Sequence, residues 1–275
     1  MSLTLITGWQ YTQQQTVLGW YHIMWLVIMV VASVLVSFFL GRKHNDKTDR
    51  IFVFTMGAIL LVFEIYKQIF LSKVRGHFDA TLFPFQFCSV PMWVAVVAPL
   101  LPWKKVRESM YLFLATCGLL AGLATISYPG GCLRDAYPYI TMLIHTMYWH
   151  AAMVVLGVYL IVSRRYMTNI KSIIKELGPA ILWLVFFVVV ANATNIIHYN
   201  VKEFDLNFMY ISPYGGCEIP VLAYFRSLSP IGEMGFFYWL FFFMYIVAFL
   251  LGIAVIWFAT YGINCLVRTI KSKKA

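Results

Sequence analysis

The chain has 275 residues, 61% of them hydrophobic and 12% charged, with a formal net charge of +10. Soluble domains average about 45–50% apolar and about 25% charged residues, so one aqueous core of this size cannot hide the apolar surface, and a lipid solvent is implied. The basic excess fits either nucleic acid or an anionic membrane surface, and its distribution along the chain excludes nucleic acid in favour of membrane lipids.

Residues 1–16 contain no Lys or Arg and no long apolar core. They therefore lack the basic start and small-residue cleavage site of a secretory signal, and the first apolar run is expected to stay in the mature protein. A helix needs about 20 apolar residues to cross the hydrocarbon layer. Runs of that kind cover about 17–40, 51–71, 81–101, 109–127, 139–162, 179–198 and 235–263, with a long lid-like segment at 199–234. Arg42, Lys43, Lys47 and Arg50 follow the first run. Lys104, Lys105 and Arg107 follow the third, Arg164, Arg165, Lys171 and Lys175 the fifth, and Arg268, Lys271, Lys273 and Lys274 the seventh. Basic loops mark the cytoplasmic side. The predicted fold class is an all-α membrane protein, a single polytopic domain over residues 1–275. It is a bundle of seven transmembrane helices with the N-terminus outside and the C-terminus cytoplasmic, multi-pass in the plasma membrane.

Polar residues inside the runs are the candidate site, because ionisable groups in a bilayer face the bundle interior or a wet cavity. Read by depth, they gather toward the outer side: His22, then Glu64, Lys67 and Gln68, then Gln86, Cys88 and Ser89, then Thr125 and Ser127, then His145 and His150, then Asn192, Asn195 and His198. One shared polar cavity open to the outside is expected there. Glu64 and Lys67 are three apart and share a helix face; they serve either as a structural ion pair or in chemistry. Asn192 and Asn195 share a face likewise, for interhelical hydrogen bonds or for a ligand. His150 is either held neutral by hydrogen bonds or transfers a proton. His145 and His150, about 140° apart around the helix, form no one-face metal pair, and no metal or other cofactor is expected. Gly118 and Gly122 make a GxxxG spacing for close helix packing.

Cys117 and Cys265 read as packing residues, and Cys88 as packing or as a nucleophile whose reactivity would need a lowered pKa. Cys132 and Cys217 fall in loops expected outside, each near a Gly pair, in YPGGC and YGGC. They are expected either to form a disulfide or to remain two thiols.

FPFQFCSVP (Phe83–Pro91) resembles the Leu-Pro-x-His-Leu-Cys element that opens a helix in the YwaF-like bacterial integral membrane proteins. The histidine-bearing run ending in Val158-Tyr159-Leu160 and the segment LNFMYISP (Leu206–Pro213) fit the same pattern in order. More distantly, the chain is similar to the animal transmembrane acyltransferases that remodel ether phospholipids, whose Pro-Cys-His element lies at this point. The resemblance implies roles for His150 and Asn207 and an acidic position near Glu64. The acyl-accepting Cys of the animal proteins falls on Phe85 and the following His on Gln86. Phe cannot be acylated and Gln is no base, so a thioester mechanism does not carry over at those positions; Cys88, about one turn on, is the nearby thiol.

Three functions are compatible with this pattern. In a lipid acyltransferase or hydrolase, His150, Glu64 and Cys88 would be catalytic, and Lys67, Gln86, His145, Asn192, Asn195 and Asn207 would bind substrate. A transporter or lipid-binding protein would use the same groups without catalysis, although transporters usually place their site at the midplane. An accessory protein would bind a partner, or a second copy of itself, within the bilayer.

Overall fold

The computed structural model describes residues 15–41, 45–78, 80–130, 132–133, 139–202, 206–219 and 221–273. Its helices are α1 (Trp20–Phe39), α2 (Asp46–Arg75), α3 (Val90–Leu100), α4 (Lys104–Ser127), α5 (Ile140–Arg164), α6 (Ile173–Lys202), the short α7 (Leu222–Ser227) and α8 (Phe236–Ser272). Among them α1, α4, α5, α6 and α8 are long and apolar enough to cross a membrane.

The third apolar run differs from its expectation of a helix over 81–101. Only Val90–Leu100 is helical, spanning about 16 Å of a hydrocarbon layer about 30 Å thick. Before it comes a single turn at Ala80–Leu82 and then irregular backbone through Ser89. Two prolines explain the break. Pro84 lacks an amide donor and disfavours helix at Phe83, whereas Pro91 suits the first turn of α3. The irregular stretch satisfies itself locally: Ser89 and Val90 amides bond the Gln86 carbonyl at 2.8 and 3.1 Å, and the Trp93 indole bonds the Pro84 carbonyl at 2.9 Å.

Helix α5 is the axis of the bundle, buried along most of its length, with α1, α2 and α4 packed on it. The packing is close enough to require glycine. A Cβ at Gly122 of α4 would lie 2.7 Å from the His150 carbonyl of α5, and one at Gly57 of α2 would lie 2.7 Å from the Ala95 backbone of α3. The GxxxG pair is divided between two neighbours, since Gly118 instead faces Pro91 of α3. Within α4, Leu114–Gly118 forms a π-turn, and the Thr116 hydroxyl donates to the Leu112 carbonyl at 2.8 Å. His22 of α1 accepts from the Leu18 amide at 2.9 Å, and its other ring nitrogen is 2.6 Å from the Ile126 carbonyl of α4. His22 is thus a tie between helices.

Asn45 caps α2 by accepting from the Thr48 amide at 2.9 Å, acidic residues occupy its first turn and basic ones its last, and Gly76 closes it at φ 76°. These match what unpaired backbone groups and the helix dipole favour. Asp49, Val53, Gly57, Leu60 and Glu64 form the buried stripe of α2.

Four basic segments meet at one end of the bundle, the basic end. Arg164 Nε is 2.5 Å from the buried Asp49, and its Nη atoms reach Asp46 at 3.1 Å and Glu108 at 2.8 Å. Tyr159 donates to Asp49 at 2.5 Å, and Arg107 pairs with Asp46 at 2.9 Å. Glu176 of α6 accepts from the Met167 amide and from the Trp257 indole of α8, both at 2.9 Å, and Arg268 of α8 bonds the Thr168 carbonyl. The basic ends of these helices thus meet in an ion network.

Gly122→Ala is expected to lower the melting temperature in detergent, because the new Cβ strikes backbone. Gly262→Ala, with nothing within 4 Å, leaves it unchanged or slightly higher. Asp49→Ala removes the buried acceptor shared by Arg164 Nε and the Tyr159 hydroxyl while Asp46 and Glu108 still pair Arg164, and should destabilise the fold by about 1–3 kcal/mol, read as a lowered unfolding midpoint.

Candidate functional site

At the end of the bundle away from the basic network lies a cavity of about 490 Å³. Small and apolar side chains of α4 (Leu120, Ala121, Ala124) and α8 (Ala248, Phe249, Gly252) make its walls, and Gln86 and Cys88 reach it from the irregular stretch before α3. Thr125 near the end of α4 lines it too, with Tyr128 and Cys132 from beyond that helix, and Met209, Tyr210, Glu218, Ile219 and Leu222 come from the segment between α6 and α8. Its size lies within the range of small-molecule sites, about 300–1,000 Å³.

That segment is fastened by the asparagines. Asn195 of α6 donates to the Phe208 carbonyl at 3.1 Å and accepts from the Phe208 amide at 2.9 Å. Asn192 Oδ1 lies 2.7 Å from the Tyr238 hydroxyl, which is also 3.0 Å from the Ile211 carbonyl. Asn207 donates to the Gly216 carbonyl at 2.7 Å and accepts from the Ser212 amide at 3.1 Å. Arg226, buried, donates to the Ser229 and Pro213 carbonyls at 2.9 and 2.7 Å. These bonds hold Met209 and Tyr210, both lining the cavity, at φ 58°, a left-handed region that costs residues with a β-carbon roughly 1 kcal/mol or more. Residues 203–205 and 220, within the segment expected to act as a lid, lie outside the described residues.

Beside the cavity, α2 and α5 enclose a polar cluster. Glu64 Oε1 receives the Lys67 ammonium at 2.8 Å and the Gln68 amide at 2.7 Å, and Gln68 also donates to the Leu82 carbonyl at 2.6 Å. His145 Nε2 is 3.8 Å from Glu64 Oε2, longer than a hydrogen bond, and its ring stacks on Trp149 with centroids 5.2 Å apart. The Trp149 indole donates to the Cys88 carbonyl at 3.0 Å. Cys88 therefore stands between the cavity and this cluster, within electrostatic range of Glu64 and Lys67. His150 places Nδ1 2.7 Å from the Thr146 carbonyl. Nδ1 must donate there, which leaves the lone pair of the neutral ring on Nε2, a buried atom with no bonded partner.

A sequence model of the TMEM164 family matches residues 17–261. The chain belongs to the TMEM164 family. No curated protein and no solved structure matches it. Membership makes the chain a membrane protein, in keeping with its apolar helices.

The single polar chamber expected from sequence is not what the TMEM164 fold builds. Of the nine residues assigned to catalysis or substrate, only Gln86 and Cys88 line the cavity. Glu64, Lys67 and His145 share the neighbouring cluster, His150 lines no part of the cavity, Asn195 and Asn207 bind backbone, and Asn192 accepts from the Tyr238 hydroxyl. Cys132 and Cys217 form no disulfide: both are thiols, one on the cavity lining and the other packed against the hydrophobic core. Among the described residues no cluster of His, Cys, Asp or Glu could hold a metal ion. Tyr245 and Glu218, both on the cavity lining, were not singled out by sequence. Tyr245 falls in the aromatic run FFYWLFFFMY, where no pattern separates it from its neighbours.

Burial pushes the Cys217 thiol above its ordinary value, the Arg226 charge opposing. The reactive thiolate is therefore scarce at neutral pH. Maleimide labelling followed by peptide mass spectrometry should find both Cys132 and Cys217 modifiable without reductant, with the Cys217 rate climbing steadily from pH 7 to 9.

Proposed function

We propose that this TMEM164 family member crosses the plasma membrane seven times with its basic end cytoplasmic, binds an amphiphilic lipid in the cavity, and transfers or hydrolyses an acyl group there. The positive-inside distribution supports the orientation. In this reading α2 and α3, with the irregular stretch before it, supply the remaining crossings, and irregular backbone is tolerated at membrane depth where it lines a cavity.

One observation carries the reading: Cys88 lies on a cavity with apolar walls, and its carbonyl accepts from Trp149, on which His145 stacks beside the Glu64–Lys67 pair. A hydrocarbon chain fits the walls, which places a bound ester near the thiol. Attack of Cys88 Sγ on the ester carbonyl would form a thioester and release the lipid alcohol, which takes the thiol proton. Water or a second alcohol would then take the acyl group and give its own hydroxyl proton to the Cys88 sulfur. His145, beside Glu64, is the base nearest to this arrangement in character, while His150 would act from behind α5.

A second reading, lipid binding without chemistry, is favoured by a specific observation: neither histidine lines the cavity, and the Glu64 carboxylate is held through Oε1 by Lys67 and Gln68 of its own helix. Lipid profiling decides between them. Expression of the wild-type chain should shift lysolipid levels and phospholipid acyl composition. Cys88→Ser should abolish the shift, and His145→Ala should reduce it by about 100-fold or more, with the protein still folded. Unchanged lipid profiles with wild type, or full activity in both variants, would leave the binding reading.

A further inference from the structure

Two polar atoms on the cavity lining have no partner. The Tyr245 side chain of α8 is 0% exposed, and its hydroxyl makes no hydrogen bond. Gln86 donates its amide nitrogen to the Asn207 carbonyl at 3.1 Å, which fixes the orientation of the group and leaves Oε1, also buried, unbonded. Both residues line the same cavity. Buried polar groups in folded proteins are nearly always paired, and an unpaired one calls for an explanation. Ordinary packing does not give one here. Tyr238, on the same helix, has its hydroxyl satisfied by Asn192 and Ile211, so the fold can satisfy a buried tyrosine in this region.

We infer that Tyr245 and Gln86 are the polar anchors of the cavity's ligand, and that they select an amphiphile carrying an uncharged hydroxyl. Their chemistry sets the requirement. An amide oxygen only accepts, so the ligand must donate to Gln86; a phenol donates readily, so the ligand should accept from Tyr245. An alcohol does both with one oxygen. A carboxylate or phosphate presents no proton to Gln86, and among the described residues no Lys, Arg or His lines the cavity to balance its charge. The apolar faces of α4 and α8 take the hydrocarbon. This assignment rests on the cavity being a lipid site but needs no catalytic role for Cys88.

The test uses the purified full chain in detergent, with 1-oleoylglycerol and methyl oleate as probes. They share a chain and an ester and differ in the hydroxyls. Affinities are read by native mass spectrometry and by thermal stabilisation. Wild type should bind 1-oleoylglycerol about tenfold more tightly than methyl oleate, the scale of one or two hydrogen bonds. Tyr245→Phe and Gln86→Leu should each remove most of that preference while methyl oleate still binds. Tyr245→Phe deletes a hydroxyl without a partner, so the melting temperature of the ligand-free protein should not fall. Equal affinity of wild type for the two probes, as expected if the anchors merely hold a water, overturns the assignment and leaves the lipid site standing. So does a full preference retained in Tyr245→Phe. Failure of wild type to bind either probe overturns the lipid site itself, and the anchors with it.

Discussion

The bundle depends on Asp49, one of two carboxylates at opposite ends of one buried stripe. Asp49 and Glu64 lie on the same face of α2, about 22 Å apart along its axis. Asp49 meets Tyr159 and Arg164 of α5 at the basic end, and Glu64 sits with Lys67, Gln68 and His145 at the other. Between them Val53, Gly57 and Leu60 are apolar or small. Apolar packing alone would let α2 slide along α5, since lipid is as good a neighbour as another helix. Asp49, whose partners Tyr159 and Arg164 belong to α5, loses them on sliding and so removes that freedom, because an unpaired charge in a low dielectric is far costlier than a lost van der Waals contact; the Glu64–Lys67 pair is internal to α2 and faces His145 only in this register. With α2 fixed to α5, Gly57 can meet the Ala95 backbone, and α3 is held in turn.

The cavity follows from this frame. An interrupted third run leaves Gln86 and Cys88 on irregular backbone rather than on a helix facing lipid. The segment between α6 and α8 closes the same space and is fastened by Asn192, Asn195, Asn207 and Arg226, largely through backbone groups. Such bonds compensate for the left-handed Met209 and Tyr210, which no helix or turn preference would choose. The asparagines are therefore the support of the chamber rather than part of its lining, and their polarity inside the membrane reflects the polar backbone they satisfy.

Much of the architecture was legible in the sequence, because length and apolarity are one-dimensional properties. The helices over Trp20–Phe39, Ile140–Arg164 and Phe236–Ser272 were evident from their runs, and the alternation of basic loops matches the meeting of Arg107, Arg164 and Arg268 at one end. The interruption before Val90 was less visible: Pro84 and Pro91 lie in a segment as apolar as any helix, and hydropathy does not register a missing amide donor. Depth along a helix could be read from position, but azimuth could not. Position along the run put Glu64, Gln86 and Asn195 at similar depth, but whether they share a chamber depends on rotation, and of the three Gln86 alone lines the cavity. Tyr245 was hidden for the converse reason, since an aromatic residue in an aromatic run carries no sign of an unsatisfied hydroxyl.

The π-turn in α4 has a consequence for how this surface can change. A π-turn accommodates one extra residue within a helix, and each residue advances the helix by about 100°. Everything after Gly118 is therefore rotated relative to a regular helix begun at Lys104. Leu120, Ala121 and Ala124 face the cavity, and Gly122 lies beneath the His150 carbonyl, only because of that phase. Loss of a single residue in Leu114–Gly118 would restore a regular turn and leave that phase as it is, whereas gain of one would turn the chamber wall toward another neighbour and push a side chain into the narrowest gap of the bundle. This stretch can therefore shed a residue without moving the wall but has no room to take another.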